Sequence, residues 1–356
     1  MIQLILHESL KNNLVNHRLI TSIMLKKILV KFSILAFVSI LISSWGFLSH
    51  KSLQQVSIYT LPAELGLFFY ANQDYLVTHS IRPDVRRRDD KSEDPKHYLD
   101  MDAEVFGPNY RTSIPHDFSA AIKKYSLDSL KNEGIVPWEV NRVYKRLVYS
   151  FQHNLKDSVL FYAADLGHYV ADSHVPLHTT KNHDGQFTNQ KGIHVLWESL
   201  VPEEFLRNYQ FNKVPTVTYI KNPQDFIFQI LLESHDMLPE VYKTELAIRA
   251  EMGEAKAFME VERGGRKLQY YTKDFIKAYG NRLGTSIENR MLLASNRVAS
   301  FWYSAWKDAG SPTWVMAVPE VSETVKQKYS SEKSVWLANN LVKENLLISL
   351  KTKSAE

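Results

Sequence analysis

Apolar residues recur along most of this chain three and four positions apart, the spacing that lines up side chains on one face of an α-helix. The pattern predicts helices over 46–58, 62–79, 116–126, 137–153, 156–174, 194–208, 223–243, 266–280, 286–309 and 319–349. The segment TSIENRMLLASNRVASFWYSAWKDAGSP is the clearest of them. Ile287, Met291, Ala294, Val298, Phe301 and Trp302 make an apolar stripe on it, the mark of a core face rather than a cofactor site. Thr285 with Glu288 predicts a capping box at its start, and Gly310 and Pro312 predict its end. No convincing set of strands stands out. The expected fold class is therefore all-α, with one multi-helical domain over 45–356. Loops are expected at 80–115, 179–193, 211–222 and 310–318, and the first two are long and polar enough to carry function.

The N-terminus breaks this pattern. MLKKILVKFSILAFVSILISS, starting at Met24, has a basic beginning, an apolar middle and small residues at its end, as a secretory signal does. Its apolar run, Phe32 to Ile42, is short for a membrane span. Residues 1–44 are thus expected to be a leader, with Met24 as an alternative start and cleavage between Ser44 and Trp45. An uncleaved N-terminal anchor is the other reading. The mature chain is expected in the periplasm or outside the cell, with no transmembrane span and no stable protein partner.

The charge changes the picture little. Of the net charge of +4, all belongs to the leader, where Lys11, Arg18, Lys26, Lys27 and Lys31 face Glu8 alone. The rest is formally neutral, so no strong global attraction to nucleic acid or anionic lipid follows. The absence of cysteine excludes disulfides, thiolate metal sites and cysteine nucleophiles.

Candidate chemistry is concentrated in GHYVADSHVPLH. His168 and Asp172 are four apart and share a helix face, His174 lies on another face, and His178 follows Pro176, where a helix does not readily continue. KGIHVLWES puts His194 and Glu198 four apart on a second helix. RPDVRRRDDKSEDPKHYLDMD adds Asp84, His97, Asp100 and Asp102, and SSWGFLSH adds Trp45 and His50. Imidazole and carboxylate without thiolate suit zinc or another borderline divalent ion. One such pair alone is more often an ordinary helix-surface pair. Two pairs on different helices, with loop ligands, can build a multinuclear site inside a bundle.

The ordered set Trp45-x4-His50, Asp84, His97, His168-x3-Asp172-x5-His178 and His194-x3-Glu198 resembles the superfamily of zinc-dependent phospholipases C and single-strand-specific nucleases of the fungal and plant type. Pro176–His178 belongs to the same pattern, and the match runs from Trp45 to about Glu198. The resemblance implies an all-α fold with three zinc ions at the base of a cleft. It implies that Asp84, His97, His168 and Asp172 hold one ion, and that His178, His194 and Glu198 hold a second. The third would take His50, Asp172, and the amino and carbonyl groups of Trp45, an amine that exists only once the leader is removed. Asp172 would bridge two ions, and Asp84 and Asp172 would flank a metal-bridging hydroxide. The implied activity is phosphoester hydrolysis with P–O cleavage.

For the substrate, the resemblance assigns Tyr98 to stacking on a base, against ordinary packing of its ring, and Asp100 to the base edge. It divides between branches: the Trp45-to-His50 spacing is nuclease-like, Glu198 is phospholipase-like, and HYLDMD fits both. Single-stranded nucleic acid or nucleotides are the favoured phosphodiester substrates, with phospholipid headgroups the alternative. Arg87 is the candidate phosphate ligand, against pairing of the Arg86–Arg88 run with Asp89 and Asp90. His79, His116, His153, His183 and His235 are expected to be structural or exposed, and His174 to support its neighbours. Two other readings stand beside the enzyme: a non-catalytic, zinc-stabilised binding protein and a helical bundle without metal.

Overall fold

The computed structural model describes residues 46–351 apart from 264–265. The leader and Trp45 lie outside the described residues, and with them the expected cleavage site and amine ligand. The fold is all-α. The first helix among the described residues, α1 (Phe47–Thr60), is buried along most of its length, although its sequence is rich in serine and glutamine. Those polar groups serve as links to neighbouring backbone: Gln54 Nε2 donates to Ala164 O (2.8 Å), Gln55 Nε2 to Leu346 O (2.9 Å) and Ser57 Oγ to Ser295 O (2.9 Å). A buried polar helix is tolerable only when its donors are satisfied in this way.

The other long helices described are α2 (Val136–Gln152), α3 (Lys156–Asp172), α4 (Pro223–His235), α5 (Leu238–Met252), α6 (Lys273–Leu283), α7 (Ser286–Asp308) and α8 (Glu323–Leu337), of which α3 and α7 pack on α1. Helix α7 is the hub, packing on α1, α2 and α3. Its predicted stripe is buried, and Trp302 also donates its indole N–H to Ala163 O of α3 at 2.9 Å. Gly167 of α3 allows the approach to α1, because a Cβ there would lie 2.6 Å from Gln54 Nε2. A second apolar cluster, with Leu177, Trp197, Val241, Phe275 and Tyr279, gathers α5, α6 and the helical run 193–208. Ala171 belongs to the first cluster and Val175 to the second. The run from His168 to His178 therefore crosses from one core to the other. No described helix is long and apolar enough to cross a membrane.

Several boundaries differ from the sequence pattern. The helix expected over 266–280 starts only at Lys273, because β1 (Phe258–Arg263) and β2 (Arg266–Tyr271) form an antiparallel hairpin. Phe258 and Tyr271 pair at its base and sink into the second core. The aromatic run and the Gly264-Gly265 pair were the signal for it. The expected helix 223–243 is two helices, since Pro239 lacks the N–H needed to carry α4 through into α5. The helix expected over 62–79 breaks at Asn72 into Ala63–Ala71 and Gln73–His79. The one expected to reach 349 stops at Leu337, followed by Asn339 and Asn345 in left-handed conformations that asparagine tolerates. Thr285 makes no capping hydrogen bond, and Glu288 instead accepts from the backbone N–H of Gln210 at 2.6 Å.

Candidate metal centre

Five segments deliver the acidic and imidazole side chains to one place. Helix α3 presents His168 and Asp172 from its last two turns, and both are buried. Beyond it, Pro176 opens a short 3-10 turn, Pro176–Thr179, that carries His178. That turn is pinned to the 80–115 stretch by backbone bonds from Leu99 N to His178 O (3.0 Å) and from Met101 N to Thr179 O (3.1 Å). The same stretch bears Asp84, on the single helical turn Arg82–Arg86, and His97, just after the 3-10 turn Asp94–Lys96. Gly134 seats it: φ there is +93°, and a Cβ would meet Tyr98 O at 2.1 Å. His194 and Glu198 come from the 193–208 run, which widens into a π-turn over Leu196–Leu200. Such turns often lie at functional sites. Helix α1 contributes His50.

The side chains form three groups of facing donor atoms: Asp84, His97 and His168; His50, His168 and Asp172; and His178, His194 and Glu198. Asp172 joins the first two. Its Oδ2 lies 2.8 Å from His97 Nδ1 and 3.3 Å from His168 Nε2, while Oδ1 lies 3.3 Å from His50 Nε2. Asp84 Oδ1 stands 3.7 Å from His97 Nδ1 and 3.8 Å from His168 Nε2. In the third group Glu198 Oε2 is 2.9 Å from His194 Nε2 and 3.5 Å from His178 Nε2, and the two imidazole nitrogens face each other at 3.3 Å. The other oxygen of Glu198, Oε1, points back to His50 Nε2 at 3.8 Å. Glu198 is thus a second carboxylate shared between groups, a feature its spacing to His194 did not reveal.

These distances fit a metal. Two ligands each about 2.0–2.1 Å from one tetrahedral ion lie roughly 3.4 Å apart, the spacing seen here. The donor set is imidazole and carboxylate throughout, so these groups could hold borderline divalent ions. Without a cation, protons do the balancing. Burial alone would raise the carboxyl of Asp172, yet His168, His50 and His97 hold it well below the usual range. Burial would likewise raise Glu198, and His178 and His194 hold it well below. Burial opposes a charge on His168, but Asp172 and Asp84 lift it to about 9. His97 goes the other way, lowered chiefly by burial. Ser80 O, 2.8 Å from His168 Nδ1, leaves Nε2 to face the cluster.

The remaining candidates divide. Asp100 is buried near the cluster, and burial together with Asp102 and Glu133 pushes its carboxyl up to about 7. Tyr98 is half-buried, with its hydroxyl 3.4 Å from Asn132 O. Arg87 pairs with Asp94 (2.5 Å) rather than with Asp89 or Asp90, and lies 3.7 Å from Asp84 Oδ1. His174 faces away from the cluster, with Nδ1 on Val170 O and Nε2 3.3 Å from Arg297 Nη1. His235 bridges Tyr110 and Thr179, and His116 pairs with Asp225. His183 is exposed, its ring 6.2 Å from that of His194. The sequence reading left out Glu93, a fully buried carboxylate behind His97, although its four-residue spacing to His97 was a signal for it. No family model matches the chain, and no curated protein matches it in sequence.

Proposed function

We propose that this chain is a zinc-dependent phosphoester hydrolase that binds three ions and acts on single-stranded nucleic acid or nucleotides. The observation that carries the reading is Asp172, whose two oxygens face different imidazole groups, as a carboxylate shared by two cations would. Asp84, His97, His168 and Asp172 would hold one ion, His178, His194 and Glu198 another, and His50 with Asp172 and the Trp45 terminus the third. Bound zinc activates water near neutral pH and neutralises phosphoryl charge. The chain's own residues do the rest. Asp172 and Glu198 supply fixed negative charge in a buried place. Asp84 is the more exposed carboxylate, at 26%, and stands on the solvent side with Asp172 behind it. Arg87, paired with Asp94 and 3.7 Å from Asp84 Oδ1, would be the group to meet a phosphate oxygen. Asp100, titrating about 7, can donate to a base edge when protonated and accept when ionised, with the Tyr98 ring two residues away for stacking.

The second reading, a phospholipase C, is favoured by one residue, Glu198. Single-stranded DNA and phosphatidylcholine offered side by side, with and without chelator, separate the two. Chelator-sensitive release of nucleotides supports the first, and chelator-sensitive release of phosphocholine supports the second. Full zinc occupancy with no turnover of any phosphoester points instead to a zinc-stabilised binding protein.

A further inference from the structure

The imidazole of His97 is 1% exposed and has two different edges. Nδ1 faces the acidic cluster, 2.8 Å from Asp172 Oδ2 and 3.7 Å from Asp84 Oδ1. Nε2, on the far edge, is buried without a hydrogen-bond partner among the described residues, and it lies 3.9 Å from Oε1 of Glu93. A neutral imidazole that ligates through one nitrogen carries its proton on the other. Ligation through Nδ1 therefore puts an N–H on Nε2, in a place where a stray donor is costly unless a negative group stands beside it.

Glu93 is fully buried and held from several sides. Arg86 grips it with two bonds of 2.9 Å, Lys96 donates at 2.8 Å, and the Tyr169 hydroxyl donates to Oε1. Burial would raise its carboxyl, but these donors outweigh burial and bring it down to about 2. The same grip extends outward: Arg86 Nη2 also meets Asp165 Oδ2 of α3 at 3.2 Å, and Arg82 donates to Asp165 Oδ1 at 2.7 Å. Arg82 and Arg86 bound the turn that carries Asp84, Lys96 directly precedes His97, and Asp165 and Tyr169 flank His168 on α3. The Tyr169 ring packs edge-on to both His97 and His168, with centroids 5.6 and 5.7 Å away. All three segments that deliver the first group thus converge on one carboxylate.

We propose that Glu93 is a positioning residue for the metal centre, fixing His97 with its proton on Nε2 and its Nδ1 lone pair toward the ion. The role rests on the metal reading above, and it adds to that reading a carboxylate four residues before His97 that is not among the ligands. Glu93 touches neither ion nor substrate. It acts through the imidazole and through the placement of the Asp84 turn.

The test is zinc affinity, measured by stripping the purified chain and titrating zinc against a colorimetric chelator. Glu93→Gln removes the charge and keeps the shape, and is expected to weaken zinc binding by about 10–100-fold. Asp90→Asn disturbs the same loop, where Asp90 Oδ1 accepts from Ser92 N at 2.9 Å, but leaves Glu93 and its donors in place, and is expected to bind zinc as the wild type does. Unchanged affinity in Glu93→Gln overturns the proposal, and so does an equal loss in Asp90→Asn, which would mark general loosening of the segment. A wild-type chain that takes up no zinc overturns the metal reading, a failure distinct from either. Should Glu93→Gln not fold, nitrogen-15 histidine spectra of the zinc-loaded wild type decide. A proton on Nε2 of His97 is the expected result, and a proton on Nδ1 overturns it.

Discussion

At the scale of residues, the account turns on two carboxyls with opposite tendencies. Asp172 is ionised because three imidazoles face it, so it is ready to serve cations once those protons leave. Asp172→Asn is expected to keep the fold and lose most bound zinc and any hydrolysis, as metal analysis with circular dichroism would reveal. Full zinc content in that variant would remove the bridging role. Asp100 is the reverse: burial and the neighbouring Asp102 and Glu133 raise its carboxyl to about 7, against roughly 3.9 in an unfolded chain. The folded state then holds a proton that the unfolded state has released, so this group's contribution falls as pH rises from about 4 to about 7 and levels off above. Asp100→Asn should therefore gain thermal stability relative to wild type across that window and hold the gain at higher pH. Melting curves in one metal state check this, and a pH-independent difference contradicts it. The ligand candidates from His50 to Glu198 were legible in the sequence because imidazole and carboxylate at helical spacing is a local pattern. Glu93 has the same spacing to His97, but its role was not legible, because it comes from Arg86, Tyr169 and His97 closing on it in three dimensions.

At the scale of elements, the helical stripes were read correctly where one face is apolar and the other wet, as on α2, with Val143, Leu147 and Phe151 buried and Arg142, Lys145 and Arg146 exposed. They misled where tertiary context decides. Helix α1 is polar in sequence yet buried, since its amides and hydroxyls find backbone partners on α3 and α7. The hairpin of β1 and β2 hid inside a helical expectation because only its base residues, Phe258 and Tyr271, reach a core. The site depends on how tightly these elements meet. Gly134→Ala would drive a Cβ into Tyr98 O at a position where φ is +93°, beside the segment that carries His97. It is expected to cost about 1–3 kcal/mol in urea unfolding and to weaken zinc binding along with it. Gly134→Ala with unchanged stability would mean that the loop 94–101 is not held against this residue.

At the scale of the molecule, the metal groups lie where two apolar clusters meet, with His168 rooted in one and the Pro176–Thr179 turn in the other. Ions shared across that junction would bind the folded chain and not the unfolded one, so they add stability by mass action. Chelation is expected to lower the melting temperature and zinc to restore it, and a melting temperature indifferent to both would leave the clusters without a structural ion. The class of fold was evident from periodicity alone. The proposed chemistry comes only through a resemblance carried by nine positions, one of which, Trp45, precedes the described residues. The most direct test of the whole account is hydrolysis of single-stranded DNA by the purified chain, followed through chelation and stepwise return of zinc. The account predicts activity that vanishes with chelator and returns as zinc approaches three ions per chain. Undiminished hydrolysis after the last zinc is removed, or none at full occupancy, would contradict it.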